Sequence, residues 1–306
     1  MRILLIGGTG FVGTNVTLHA LSSGHEVWIA VRSRNPYAER LERSGALILS
    51  SHREKIREAD CLVYLVGALG RRREADYLEL QVRAPERIGK EFAAVNGGKF
   101  VYVSSVGVLG FPGGSERPIR EEKEICEGLQ PGTLHGRTKC MGEKAISSLP
   151  NHAILRFPIV YGPYSRTPLW RGIMRAARMG LGIRNSNPFS VISTANASRA
   201  VESACASKAS GFYYASDPSP ATLTEVFSLA AEVQGRDVEL WLPMGSGILN
   251  LLSHFGELFR LARDIISGSL VVSSEKAQRE IGYQPLDVRR ETFKVMAQYY
   301  GKSGFR

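Results

Sequence analysis

Three glycines close to the start of the chain, Gly7, Gly10 and Gly13, are spaced G-x-x-G-x-x-G, with an apolar run before them and a helical pattern after them. In such a strand–turn–helix unit the glycines permit a tight turn, close approach of the backbone to a diphosphate and close packing of helix on strand. The helix start adds free N–H groups and the positive end of its dipole. The pattern therefore predicts a dinucleotide site rather than a turn that serves packing alone. The predicted contacts come from Gly7, Thr9, Gly10, Phe11, Val12 and Gly13.

The end of the second predicted strand, residues 27–31, indicates which dinucleotide is bound. An Asp or Glu about 20 residues after the glycines would accept a hydrogen bond from the ribose 2′-hydroxyl of NAD. This chain has Arg32 and Arg34 there, and no acidic residue follows until Glu39. A guanidinium offers a permanent charge and several donors to a 2′-phosphate. We therefore expect NADP(H) as the cofactor, with NAD(H) as the alternative if both arginines are solvated surface charges.

The elements that must position these residues alternate along the chain. Helical stretches separate apolar runs that are typical of buried parallel strands, at 46–50, 62–66, 99–104, 153–161 and 211–215. The longest helical stretches are 75–95, 136–148 and 223–235. This alternation predicts an α/β fold with a doubly wound parallel sheet. Ligands of such sheets lie beyond the carboxyl ends of the strands, so we expect Val66, Gly67 and Ala68 to pass under the cofactor.

Two further stretches allow either a structural or a functional interpretation. The basic run Arg71, Arg72 and Arg73 either borders an anionic group or is a solvated loop. Residues 248–266 carry an apolar stripe at helical spacing, which is typical of a core-facing or lid helix. The same stripe would also suit a surface that meets lipid or an apolar substrate.

Composition and charge narrow the class of protein. With 306 residues, of which 43% are hydrophobic and 22% charged, the chain has the make-up of a globular protein with one large or two modest domains. Its four scattered cysteines form no CxxC pair, which argues for reduced thiols in the cytoplasm and against a zinc site. The net charge of +10 favours anionic partners, but no nucleic-acid motif accompanies it. We expect no signal peptide and no membrane span, because glycines interrupt the first apolar run and no later run is long enough.

Five segments together resemble one protein family. They are GGTGFVG (7–13), VYVSSVGVLG (101–110), LRFPIVYGP (155–163), FYYASDPSPATLTEVFSLAAEVQG (212–235) and SSEKAQREIGYQP (273–285). Over almost its whole length the chain resembles the extended short-chain dehydrogenase/reductase family, the group of NAD-dependent epimerases and dehydratases. The resemblance implies a Rossmann domain, 1–161 plus about 190–216, and a smaller C-terminal substrate domain, about 162–189 plus 217–306. It also implies that Pro158 lies beside the nicotinamide.

The resemblance also indicates the reacting groups. Family members carry Tyr-x-x-x-Lys on a helix, which puts both side chains on one face; here the segment HGRTK has His135 and Lys139. Ser105 matches the family's catalytic serine, and Gln81 stands where many relatives have asparagine. An imidazole exchanges protons near neutral pH. It is shorter than a phenol, however, so the distance from His135 to the substrate oxygen is the first argument against catalysis by this residue. Catalysis through His135, catalysis through other groups or water, and no catalysis at all therefore stay open.

The second half of the chain is closer to the steroid-dehydrogenase-like and respiratory-complex-I-subunit-like branches of the family. Ile159 stands where nucleotide-sugar enzymes often carry asparagine. Trp170, Phe189 and Trp241 offer little that suits sugar hydroxyls. These features favour an apolar small-molecule substrate, such as a ketone or alcohol of lipid or isoprenoid type.

Two functional hypotheses follow. The first is an NADP(H)-dependent oxidoreductase that acts on an apolar carbonyl or hydroxyl compound. The second is an NADP(H)-binding scaffold without turnover that docks onto a membrane complex or another protein; a nucleotide-sugar epimerase or dehydratase is less favoured. A cytoplasmic location is expected, with or without membrane association, and both a monomer and a homodimer are compatible with the sequence.

Overall fold

The computed structural model describes residues 1–67, 73–110, 118–120, 132–166, 168–243 and 269–302. Its strands are β1 (Arg2–Ile6), β2 (Glu26–Ala30), β3 (Leu47–Leu49), β4 (Cys61–Tyr64), β5 (Lys99–Ser105), β6 (His152–Phe157), β7 (Ile159–Tyr161), β8 (Leu181–Arg184), β9 (Val191–Ser193), β10 (Gly211–Tyr214) and β11 (Leu240–Pro243). Seven of them form one parallel sheet in the order β10–β6–β5–β4–β1–β2–β3. The strand order switches direction at β1, where doubly wound sheets have their ligand crevice. The predicted doubly wound α/β sheet is confirmed.

The α-helices of the described residues are α1 (Phe11–Ser22), α2 (Pro36–Arg43), α3 (Glu74–Leu78), α4 (Ala84–Val95), α5 (Leu134–Ile146), α6 (Pro168–Arg178), α7 (Thr194–Ala206), α8 (Leu223–Glu232), α9 (Glu275–Ile281) and α10 (Arg289–Lys302). The predicted helix 75–95 is divided, because a π-helical segment, Glu79–Arg83, joins α3 to α4 just before Pro85. The predicted strand 153–161 is divided at Pro158, between β6 and β7. Proline has no N–H to donate, so the regular backbone hydrogen bonding of a helix or a strand is interrupted there.

Apolar side chains of the large sheet alternate between two cores. Leu5 and Val63 belong to the core beneath α1 and α7, and Leu4 and Leu62 belong to the core beneath α4 and α5. Because helices cover both faces, neighbouring strand positions are both buried, which explains the unbroken apolar runs of the sequence. Each fully buried side chain of this size stabilises the fold by about 1.5–3 kcal/mol.

A further core lies outside the large sheet. It includes Tyr161, Trp170 and Phe293, and it joins α6, α8 and α10. One segment that the sequence had assigned to the smaller domain packs elsewhere: Ile281 of α9 and the following Tyr283 belong to the core beside α7. The remaining domain boundaries stay a prediction.

Two cysteines that are distant in sequence are bonded. Cys61, at the start of β4, and Cys205, near the end of α7, form a disulfide with a Cα–Cα distance of 5.6 Å across a sequence separation of 144 residues. The prediction of reduced thiols is therefore wrong for this pair, because spacing along the chain does not reveal that β4 and α7 share a core. Cys140 is buried and forms no disulfide with any of the described residues.

Some predicted features lie outside the described residues. They are Ala68, Arg71, Arg72 and the apolar stripe at 248–266. Within the described ranges, no helix combines the length and the apolar character that a membrane crossing requires.

Candidate functional site

The glycine turn joins β1 to α1. Gly7 has a φ of +92°, and the N–H of Gly10 donates to the carbonyl of Gly7 at 3.0 Å. A Cβ on Gly13 would lie 2.1 Å from that same carbonyl oxygen, so Gly13 lets the helix pack directly on the turn. A Cβ on Gly10 would meet Gly7 O at 3.2 Å and, apart from neighbours along the chain, no other atom of the described residues within 4 Å. The outer side of Gly10 is therefore open, while Gly13 is enclosed.

The first turn of α1 can hold an anion. Gly10 is the N-cap of this helix and has no side chain to cap it, and no side chain of the described residues accepts a hydrogen bond from the amides that follow it. A helix start leaves N–H groups without partners inside the helix, and these groups bind phosphate well. The open side of Gly10 leaves space for such a group, so the turn fits the diphosphate of a dinucleotide.

The two arginines after β2 have different surroundings. In the register of the sheet Ile6 pairs with Ala30, so Arg32 follows the carboxyl end of β2 beside the glycine turn. Arg34 forms a bidentate ion pair with Glu42, with N–O distances of 2.7 and 3.0 Å. Arg32 is exposed and has no hydrogen bond or ion pair within the described ranges. Arg32 is therefore the better candidate for an anionic ligand.

The end of β4 lies against the turn. A Cβ on Gly7 would be 3.0 Å from Cγ2 of Val66, and Gly67 is exposed. Pro158 is buried between β6 and β7. The predicted path of the cofactor along these strand ends is compatible with both positions.

Lys139 is buried in α5. Its Nζ donates to the carbonyl of Val103 at 2.7 Å and to that of Val66 at 3.4 Å, and it lies 4.5 Å from the centre of the Tyr102 ring. Burial lowers the pKa of Lys139 to about 7, although the charge of Glu143 opposes this shift. The amine therefore changes its protonation state near neutral pH.

His135 lies one helical turn before Lys139. Burial, followed by the charge of Lys139, lowers the pKa of His135 to about 3. The expected proton exchange of this imidazole near neutral pH is therefore not available, because the ring stays neutral there. Nε2 of Gln81 lies 3.4 Å from Nδ1 of His135, where the amide N–H can donate to the ring nitrogen.

Ser105 ends β5 and caps the short 3₁₀ helix Val106–Leu109. Its Oγ accepts a hydrogen bond from the N–H of Gly107 at 3.1 Å. No hydrogen bond joins Ser105 to His135 in the described part of the chain. The structure thus brings Lys139 and His135 together with Gln81, and leaves Ser105 as a separate group at the same strand ends.

A buried ion pair supports α5, and sequence reasoning missed it. Arg156 of β6 and Glu143 of α5 are both 0% exposed and lie 2.6 Å apart. Ser104 donates to the same carboxylate at 2.5 Å. The only signal in the sequence was a charged residue, Arg156, between the apolar residues of the predicted strand. This pair fixes the helix that carries Lys139 against the sheet.

The first part of the chain matches a known protein family. It matches the profile of the family described as RmlD substrate binding domain over residues 1–179. The comparison with curated protein sequences found no match.

Solved structures resemble the whole chain. The UDP-glucuronic acid 4-epimerase of Bacillus cereus in complex with NAD is 15% identical, with 99% of each chain covered and a TM-score of 0.75. The ADP-L-glycero-D-manno-heptose-6-epimerase of Helicobacter pylori is 18% identical, with 99% and 96% covered and a TM-score of 0.75. The dTDP-glucose 4,6-dehydratase of Bacillus anthracis str. Ames in complex with NAD is 16% identical, with 99% and 97% covered and a TM-score of 0.76.

At these identities the likeness shows the fold, which is that of NAD-dependent epimerases and dehydratases. The steroid-dehydrogenase-like and complex-I-subunit-like branches are not confirmed by these comparisons. The family match covers more than half of the 306 residues. The chain therefore belongs to the RmlD substrate binding domain family, within the extended short-chain dehydrogenase/reductase fold.

Proposed function

We propose that the protein is an NADP(H)-dependent oxidoreductase that transfers hydride to or from an apolar carbonyl or hydroxyl compound. The observation that carries this proposal is the uncapped first turn of α1 beside Arg32, a guanidinium without a partner among the described residues. Uncapped amides suit a diphosphate, and a free guanidinium suits a 2′-phosphate. The neighbours in complex with NAD make NAD(H) the alternative cofactor.

Different residues of this chain would bind different parts of the cofactor. When bound, a nicotinamide dinucleotide supplies or accepts the hydride. The amides after Gly10 would hold the diphosphate, and Arg32 would hold the 2′-phosphate. In its protonated form Lys139 uses two of its three N–H donors on carbonyl oxygens of the described residues, so one remains for a ribose hydroxyl.

The reacting oxygen would be oriented by Ser105. Its Oγ accepts from the N–H of Gly107, and none of the described residues accepts its hydroxyl proton, which is therefore available to the substrate. His135, as a neutral imidazole, would add a hydrogen bond. Lys139 is the group of this set that titrates near pH 7, so its charge would set the pH dependence of turnover.

The proposal of an apolar substrate comes from the sequence, and the residues that follow Ser105 are apolar as well. Val106 and the partly buried Leu109 follow it, and they pack with Ile119, Leu270 and Val272. The likeness in fold to nucleotide-sugar enzymes, such as the UDP-glucuronic acid 4-epimerase of Bacillus cereus, makes a nucleotide sugar the second substrate class to test.

The experiment follows deuterium from C4-labelled NADPH, prepared in both stereospecific forms. Mass spectrometry would measure label in a panel of apolar ketones and of oxidised nucleotide sugars. We expect label from one of the two forms in an apolar ketone. Ser105→Ala should lower the rate by roughly 10²–10³, the usual loss for one positioned donor, and should keep the cofactor affinity. Label in nucleotide sugars alone would contradict the apolar substrate.

A second function, cofactor binding without turnover, is favoured by one observation. The residue at the position of the family's tyrosine, His135, has a pKa of about 3 and cannot supply a proton as an imidazolium at neutral pH. His135→Tyr separates the two functions, because it restores the family pattern beside Lys139. Tight NADPH binding without label transfer, in the wild type and in His135→Tyr, would favour the binding protein. Transfer by the wild type that survives in His135→Phe would exclude His135 as the proton donor.

A further inference from the structure

An arginine from a distant part of the chain lies on the glycine turn. Nη2 of Arg166 donates to the carbonyl of Thr9 at 2.8 Å, and Cζ of Arg166 lies 3.8 Å from the centre of the Tyr37 ring. Thr9 stands between Gly7 and Gly10, the two glycines that shape the turn. A cation 157 residues further along the chain therefore touches the segment that faces the dinucleotide.

The loop that carries Arg166 is held in place from three sides. The side chain of Asn15 in α1 donates to the carbonyl of Pro163 at 3.1 Å. Arg40 of α2 donates to the hydroxyl of Tyr164 at 2.8 Å, and Tyr299 of α10 packs edge-on against the Tyr164 ring at 5.0 Å. Tyr164 has a φ of 68°, which costs a non-glycine residue free energy and persists only where contacts hold it.

The charge of Arg166 is not neutralised by the described residues. It is exposed and forms no ion pair with any of them, and its hydrogen bond to Thr9 uses one of five N–H donors. Stacking on Tyr37 fixes the plane of the guanidinium while its edges stay free. An ordered guanidinium with free donors beside a phosphate-binding turn is a site for a further phosphate contact.

The geometry points to Arg166 as a ligand of the cofactor diphosphate, acting from the loop after β7. This inference rests on the proposed dinucleotide site and adds a residue to it. Arg32 would distinguish NADPH from NADH through the 2′-phosphate, whereas Arg166 would bind the diphosphate that both share. The competing role is structural: Arg166 would only brace the turn through the carbonyl of Thr9.

Calorimetric titrations distinguish these roles. The ligands are NADPH, NADH, ADP and adenosine, and the proteins are the wild type, Arg166→Ala, Arg166→Lys and Arg178→Ala, an exposed arginine at the end of α6. We expect Arg166→Ala to weaken NADPH, NADH and ADP by the same factor, roughly tenfold, as for the loss of a charge-assisted hydrogen bond. Adenosine has no phosphate, so its affinity should not change. Arg166→Lys should restore part of the loss, and Arg178→Ala should match the wild type.

The following outcomes would overturn the inference. Wild-type affinities in Arg166→Ala would exclude a phosphate contact. An equal loss for ADP and adenosine, or a lower melting temperature of the ligand-free Arg166→Ala variant, would assign the residue to bracing of the turn. If the wild type binds neither NADPH nor NADH, both the proposed function and the inference are wrong. If cofactor binding is lost in Gly10→Val but unchanged in Arg166→Ala, only the inference is wrong.

Discussion

At the scale of single residues, burial decides what the groups on α5 can do. Lys139 and His135 are both basic side chains, and both have a lowered pKa because burial penalises the charged form. The imidazole stays neutral throughout the physiological range, while the amine titrates at about 7. The group that answers to pH in this site is therefore the lysine.

Replacing Lys139 by methionine should change how stability depends on pH. The amine has a pKa of about 7 in the folded chain against an ordinary 10.5, so between these values the unfolded chain binds more protons. The free energy of unfolding of the wild type should therefore rise between about pH 7 and pH 10 relative to Lys139→Met. Urea titrations across this range measure the difference. A difference that stays constant with pH would mean that the amine is solvated.

Arg32 should decide the choice of cofactor. Its guanidinium has no partner among the described residues, so it is available to the 2′-phosphate. NADPH should bind at least tenfold tighter than NADH, a gap of about 1.4 kcal/mol. In Arg32→Ala this gap should disappear, while Arg178→Ala keeps it. Equal affinities of the wild type for both cofactors, measured by calorimetry, would contradict a role of Arg32 in cofactor choice.

At the scale of elements, the contact between the turn and α1 assigns different tasks to two glycines. Gly13 is enclosed by backbone atoms of the turn, and Gly10 is open on its outer side. The same kind of close contact occurs at Gly142 in α5, where a Cβ would lie 2.1 Å from the carbonyl oxygen of Gln81. Helix placement at this site therefore depends on Gly13 and Gly142, where a Cβ would collide with backbone.

Substitutions at the two glycines should separate folding from binding. Gly13→Ala should lower the free energy of unfolding by about 2–4 kcal/mol, because its Cβ would collide with Gly7 O and the backbone must move. Gly10→Val should melt close to the wild type and lose the cofactor, because its side chain occupies the open side of the turn. Thermal melts and calorimetric titrations provide both readouts. Unchanged cofactor affinity in Gly10→Val would place the site elsewhere.

At the scale of the whole molecule, two long-range links tie the sheet to its helices. The disulfide joins β4 to α7, and the buried pair of Arg156 and Glu143 joins β6 to α5. Both connect residues whose proximity depends on the completed sheet.

Removing the disulfide should destabilise the chain. A cross-link over 144 residues restricts the unfolded ensemble, and links of this kind contribute about 2–4 kcal/mol. Cys61→Ala and Cys205→Ala should each lower the urea midpoint, and the double variant should add little to either single one. Additive effects of the two substitutions would show that the thiols stabilise the fold through packing alone.

Local patterns in the sequence were sufficient for the sheet and the turn. A strand that is buried on both faces must be apolar at consecutive positions, and a turn with positive φ favours glycine, so both leave a signal within a few residues. The helix α7 left no comparable signal and was not predicted. Its buried face is made of small residues such as Ala197, Ala200 and Ala204, which pack closely but give a weak helical pattern.

The sequence by itself determined where the apolar runs of the parallel strands lie, and it determined the glycine turn. It also showed that the lysine of the family pattern is present and the tyrosine is absent. Each of these is a property of neighbouring residues. Only the tertiary structure decided that Arg34 pairs with Glu42 while Arg32 does not, that Cys61 meets Cys205, and that Arg166 reaches Thr9. The lowered pKa of Lys139 belongs to the same group, because desolvation depends on every element packed around the amine. Apart from the local pair of Arg34 and Glu42, these are contacts between distant segments, and their geometry exists only once the sheet and its helices have assembled.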